Sequence, residues 1–344
     1  MNRRGVIYDV GRVLGVPWRP QLDQPTVRRE LEIIRDDLHC NAVRICGADV
    51  GRLTMATEEA LEQGLDVWLS PELWDTDSQA TLEHLVTAAR AAEWARQRYP
   101  ERLVLSVGSE LTLFMLGIVE GKSFAKRLGN PSLKETVEAG RHNAPLNAYL
   151  AQAVEAVRQV FGGPLSYASL PWEAVDWGLF DLIGVDHYRE ERVRERYVKM
   201  LQPLFALGKP VVVTEFGCRT YQGALGAMGR DITDGTTMFF HQVPVVGRFV
   251  RPRLDGDYVR DEELSARELT ETLSILDKAG VDGVFVRTFV APIATYDEDP
   301  RHDLDMASFS LVKSFAGDRK GTTYPDMPWE PKAAFRAVAA YFAE

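Results

Sequence analysis

Eight short apolar, β-branched runs, each followed by a polar or glycine-containing turn, with amphipathic helical stretches between them, predict a (β/α)8 TIM barrel. The runs are "GVIYDVG", "NAVRICG", "LDVWLSPEL", "RLVLSVGSEL", "PLSYASLPW", "DLIGVDHY", "PVVVTEFG" and "DGVFVRTFVAP". Strands this apolar suit burial on both faces, which fits a parallel barrel. A doubly wound sheet is the alternative, but no G-x-G-x-x-G turn follows the first run.

The stretches between the runs read as helices. "PTVRRELEIIRDDLH" puts Leu31, Ile34 and Leu38 on one face, and "ATLEHLVTAARAAEWARQRY" and "LNAYLAQAVEAVRQVF" repeat that pattern. "DEELSARELTETLSILDKAG" ends on a glycine where a C-cap belongs, and "EPKAAFRAVAAYFAE" carries a proline in its first turn. Eight strand-then-helix units are therefore expected in one catalytic domain, residues 1–344, with no linker or repeat marking a second. Three connections are long, 111–144, 218–261 and 291–330. Each follows a strand, after strands 4, 7 and 8, on the side that forms a barrel's mouth.

At 344 residues and 45% hydrophobic, the chain can bury a large core. Its net charge of −10 forms no long block of one sign, which argues against a nucleic-acid partner. No apolar run approaches the roughly 20 residues of a membrane span, and "MNRRGVIYDVGRVLG" lacks the apolar core of a signal peptide, so no membrane partner and a cytoplasmic location are expected. Cys40, Cys46 and Cys218 match no zinc spacing and read as reduced fillers. His142 and His241 lack partner spacing, and "YDEDPRHDLD" lacks the EF-hand pattern, so no metal is expected. Nothing in the sequence signals an oligomeric state.

Barrels carry their chemistry at the C-terminal ends of their strands. This sequence places Tyr8 and Asp9 there on strand 1, Arg44 on strand 2, Glu72 and Trp74 on strand 3, and Ser109 and Glu110 on strand 4. Strand 6 ends in Asp186, His187 and Tyr188, strand 7 in Glu215, and strand 8 in Arg287 and Phe289. A carboxylate after a buried strand must be paired, hydrogen-bonded or reaching solvent. Glu110 and Glu215 each fit either a salt bridge to Arg44 or Arg287, or acid/base and nucleophilic work on a glycosidic bond; as a pair in this register they favour catalysis. Glu72 and Asp9 are rival carboxylates, suited to sugar hydroxyls or loop amides. Trp18, Trp74, Trp172, Tyr221 and Trp329 could stack on sugar rings or anchor loops. "TMFFHQVPVVG" is too apolar for an ordinary surface loop, and an aglycone pocket, a cover and a subunit contact all remain open for it.

"SVGSEL" with Glu110, "VVVTEFG" with Glu215, "VRICG" with Arg44, "GVDHY" with His187 and Tyr188, and the closing "PWEPKAAFRAVAAYF" together resemble the clan A glycoside hydrolases. The resemblance spans the chain as an order of elements. It implies a retaining O-glycosyl hydrolase without a cofactor, acting on a carbohydrate, with Glu215 as nucleophile and Glu110 as acid/base. It further implies that Arg44 braces Glu215 and that Tyr188 hydrogen-bonds to it. His187 and Trp74 are read as substrate-site residues, with a satisfied structural histidine and a packing anchor as the alternatives. The sequence departs from the clan at Ser109, where an Asn normally meets the sugar 2-hydroxyl, and at "VRTFVAP", where Phe289 stands in for the usual Trp platform. A small β-linked glycoside or oligosaccharide is the expected substrate. Transglycosylation by the same glutamates, and a non-catalytic glycan-binding or regulatory barrel of the kind labelled abortive infection, are the alternatives.

Overall fold

The computed structural model describes residues 1–11, 19, 22–227, 230–241 and 246–344. Eight strands, β1 (Arg3–Asp9), β2 (Ala42–Gly47), β3 (Asp66–Pro71), β4 (Leu103–Ser109), β5 (Leu165–Ser169), β6 (Ile183–Asp186), β7 (Val211–Phe216) and β8 (Gly283–Val286), close into a barrel in sequence order. Adjacent ladders from β1 to β7 are parallel. This is the predicted (β/α)8 fold, with all eight strands inside their predicted runs or within two residues of them.

Helices α1 (Gln24–Asp36), α2 (Val50–Glu62) and α3 (Ser78–Arg98) follow β1 to β3. Each starts at an aspartate, Asp23, Asp49 or Asp77, whose carboxylate accepts the N–H of Thr26, Arg52 or Ala80 and satisfies one first-turn donor. The long connection after β4 holds α4 (Leu111–Phe114), α5 (Phe124–Leu128) and α6 (Leu133–Glu138) ahead of α7 (Asn143–Arg158). Between β5 and β6 the expected helix is absent. A single 3-10 turn, Trp177–Leu179, replaces it, capped by Asp176 after a proline-containing loop too short for a packed helix. Then come α8 (Tyr197–Phe205), α9 (Gly235–His241), α10 (Glu262–Ala279) and α11 (Ala333–Phe342), with the antiparallel pair β9 (Val312–Ser314) and β10 (Trp329–Pro331) before α11. The expectations for Trp18 and for residues 242–245 of "TMFFHQVPVVG" fall outside the described residues.

The barrel interior carries an apolar cluster. Ile7, Ala42, Cys46, Trp68, Val104, Leu182, Val212 and Phe285 form one buried cluster, with the Trp68 and Phe285 rings 5.8 Å apart. Because side chains alternate along a strand, this cluster shows which residues point inward. On β2, Ala42 and Cys46 bracket Arg44, so Arg44 must also enter the barrel.

The described residues group into two compact units. Met1–His187, Lys199–Glu215 and Gly280–Phe285 make the first, which contains the interior cluster. The second comprises Tyr188–Val198, Phe216–Ala279 and Val286–Glu344. Its interior holds a charged network: Lys332 Nζ lies 2.8 Å from Asp305 Oδ1, both residues fully buried, and Arg260 pairs with Asp303 and Asp305 at 2.8 Å. Lys332 also donates to Ser310 Oγ at 3.2 Å. Among the described residues no helix is long and apolar enough to cross a membrane, and no group of three or more His, Cys, Asp or Glu side chains could hold a metal ion.

Removing one partner of a buried ion pair leaves an uncompensated charge, at about 3–5 kcal/mol. Lys332→Met is therefore expected to lower the urea midpoint of unfolding by that amount of stability. An unchanged midpoint would show that the pair carries no such load.

Candidate active site

Arg44 is 1% exposed and organises the upper interior of the first unit. Its Nη1 donates to Asp186 Oδ1 at 3.1 Å and to the Thr214 carbonyl at 2.9 Å, and lies 3.8 Å from Glu215 Oε2. Its Nη2 donates to Ser109 Oγ at 3.0 Å, Glu72 Oε1 at 3.3 Å and Ser70 Oγ at 3.4 Å. Hydroxyls complete the network: Thr214 Oγ1 donates to Asp186 at 2.6 Å, Ser109 Oγ to Asp186 at 3.3 Å, and Ser70 Oγ to Glu72 at 3.1 Å. Groups from four other strands, β3, β4, β6 and β7, thus converge on one guanidinium of β2.

Simple alternation does not explain two of these contacts. Counting from inward Val212, Glu215 would face the helices, and counting from inward Val104, so would Ser109. The ladders correct both. Between Val185 and Asp186 on β6, β7 advances two residues, so that Glu215 rather than Thr214 stands opposite Asp186. Between Ser106 and Ser109, β4 gains one residue over β5, and Ser106 Oγ closes the irregularity on the Gly108 carbonyl at 2.7 Å. Such one-residue bulges re-aim the side chains that follow them.

Glu110 lies just beyond the β4 shift, partly exposed, with left-handed backbone angles of φ 45° and ψ 38°. Its N–H donates to the Ala168 carbonyl at 2.9 Å, and its carbonyl accepts from Leu113 and Phe114 as α4 begins. The Glu215 carbonyl in turn accepts the His187 N–H at 2.8 Å.

Burial raises the Asp186 pKa to about 6; Arg44 pulls against this, while Glu215 and Glu72 add to it. Burial opposes the Arg44 charge as well, yet Asp186, Glu72 and Glu215 outweigh it and hold the guanidinium protonated. Glu173, in the turn after β5, is pushed up to about 7 by burial despite hydrogen bonds that favour its ionised form.

Several sequence expectations change here. Ser109 is 4% exposed and its hydroxyl is engaged with Arg44 and Asp186, so it does not stand in for an amide reaching toward a sugar. Phe289 is fully buried, edge-on to Trp329 at 5.3 Å, which removes it as a sugar platform. One face of Trp74 is covered by Phe114, stacked at 3.7 Å, with Phe124 tilted against it. Trp172 packs edge-on to His142, and Tyr221 and Trp329 are buried. His187 is buried in the first unit, while Tyr188, in the second, is half-buried and tilted on Phe309. Tyr8 turns outward and donates to Glu30 of α1 at 2.6 Å, and Asp9 accepts the Gly11 N–H. Sequence places Asp186 at a strand end without a role, and gives no signal for Thr214 or Tyr167. For Glu173 the only available signal was a charge close behind a buried strand.

Scans against protein-family models and curated proteins gave no match. Solved structures do match. A GH113 β-1,4-mannanase superposes with a TM-score of 0.64 at 12% identity, covering 100% of this chain and 99% of its own. The GH113 β-mannanase of Alicyclobacillus acidocaldarius gives 0.59 at 16%, covering 99% and 97%. A β-glucuronidase of Ruminococcus gnavus gives 0.58 at 14%; the match covers 99% of this chain and 49% of that one, so this chain spans about half its length. The class that fold and comparison define is the (β/α)8 barrel.

Asp186 has a folded pKa above its unfolded value, so the native state binds the extra proton between about pH 4 and pH 6 and loses relative stability as pH rises through that window. Asp186→Asn is expected to remove this contribution: the stability of the wild type relative to the variant, from urea unfolding, should fall between pH 4 and pH 7. Parallel pH dependence in the two proteins would refute the assignment.

Proposed function

We propose that residues 1–344 form one catalytic domain, a retaining glycoside hydrolase acting by double displacement on a small β-linked glycoside or oligosaccharide. The observation that carries this reading is the pair of register shifts, one immediately before Ser109 and Glu110 and one immediately before Glu215.

Glu215 is the nucleophile, with the Arg44 guanidinium 3.8 Å away as counter-ion to its negative charge. It attacks the anomeric carbon while Glu110 protonates the departing oxygen, and a water deprotonated by Glu110 then releases the sugar from Glu215. The fold shared with enzymes described as β-1,4-mannanases and β-glucuronidases supports a β-linked substrate. Three carboxylates around one arginine favour a neutral sugar such as a mannoside over a uronate. A second reading, a sugar-binding barrel without turnover, draws on Ser109, whose hydroxyl is committed to the interior network.

The test is a panel of 4-nitrophenyl β-mannoside, β-glucoside and β-glucuronide, with product anomers followed by NMR. Turnover with the β-anomer released first is expected. Glu215→Ala should abolish it, and Glu110→Ala should slow poor leaving groups by about 10²–10⁴-fold with rescue by azide. Wild-type rates in both variants would overturn the assignment, and calorimetric binding of mannooligosaccharides without hydrolysis would favour the second reading.

A further inference from the structure

We propose that Tyr167 and Glu173 act as a clamp that sets the orientation of Glu110, making Glu173 a positioning residue for the acid/base. The inference rests on the acid/base reading of Glu110 and adds what holds that residue in place.

A side chain at left-handed backbone angles costs about 1–2 kcal/mol, and such a conformation persists only where its surroundings over-determine it. Glu110 is also the N-cap of α4, yet its own side chain makes no capping bond. An N-cap side chain ordinarily accepts a first-turn N–H of its helix. Here the acceptors come from β5 and the turn beyond it. The Leu111 N–H donates to Tyr167 Oη at 2.8 Å, and the Thr112 N–H to Glu173 Oε1 at 3.2 Å. Capping has been transferred to other residues, which releases the Glu110 carboxylate from that duty.

The clamp is itself rigid. Tyr167 is fully buried and donates to Glu173 Oε2 at 3.0 Å, and the same oxygen accepts the Leu170 N–H at 2.8 Å. The far end of α4 is closed by Arg127, fully buried, whose Nε donates to the Leu113 carbonyl at 2.5 Å and Nη2 to the Phe114 carbonyl at 3.1 Å. Both ends of the turn that carries Glu110 are therefore tied by side chains from outside it.

Two readouts test the clamp in Glu173→Gln and in Tyr167→Phe, the latter keeping the ring in the core while removing only the hydroxyl. Amide hydrogen exchange at Leu111 and Thr112 should accelerate by about tenfold or more, with β4 amides unchanged. With aryl glycosides of the sugar identified by the panel, kcat/KM should fall about tenfold further for a phenyl than for a 2,4-dinitrophenyl leaving group, because only the former needs a well-placed acid. A purely structural defect would lower both equally. Unchanged exchange, or equal losses for the two leaving groups, overturns the proposal. If azide fails to rescue Glu110→Ala, the acid/base reading falls instead, and the exchange rates still decide whether the clamp exists.

Discussion

The upper barrel interior depends on one buried positive charge. A guanidinium taken from water into a protein interior is costly unless its N–H groups are paired; both terminal nitrogens of Arg44 find acceptors from β3, β4, β6 and β7, while its Nε has none among the described residues. Three carboxylates approach it, more negative charge than one cation balances. Burial raises the pKa of the most deeply buried of the three, Asp186, and the negative charges of Glu215 and Glu72 add to that rise. The polar layer is a consequence of that single residue standing between Ala42 and Cys46 on an inward-facing strand.

Glu110 and Glu215 are held by different physics. Glu215 belongs to a ladder, its carbonyl bonded to the His187 N–H and its carboxylate facing Arg44. Its position therefore shares the stability of the sheet. Glu110 stands one residue past the end of its strand, in a strained conformation that a ladder cannot maintain. It relies on side-chain capping by Tyr167 and Glu173 and on Arg127 beyond. In the mechanism proposed above, the sheet would fix the direction of the attacking carboxylate, and the capped turn would hold the backbone of the one that exchanges a proton.

The fold was legible because the strands are apolar on both faces, a pattern carried within a few residues. The ends of those strands were legible for the same reason, which places Glu110 and Glu215 at the ends of β4 and β7, whereas Arg44 lies within β2 rather than at its end. The bulges were not, since a register shift is a relation between two strands and leaves no mark in either alone. Nor was the capping of α4, whose partners Leu111 and Tyr167 are 56 residues apart. Aromatic residues are illegible in a third way: Phe289 and Trp74 have the composition of a sugar platform, and only tertiary packing shows that Phe289 is buried against Trp329 and that Phe114 stacks on one face of Trp74.

The extra residue in β7 separates two kinds of information along one strand. Below it, Val212 answers to the volume of the barrel core; above it, Glu215 answers to charge and reach. The bulge resets the phase between them, so that a core valine and an interior carboxylate share a strand whose plain alternation would turn one of the two outward. The strand is two inward-facing segments joined by a one-residue phase change.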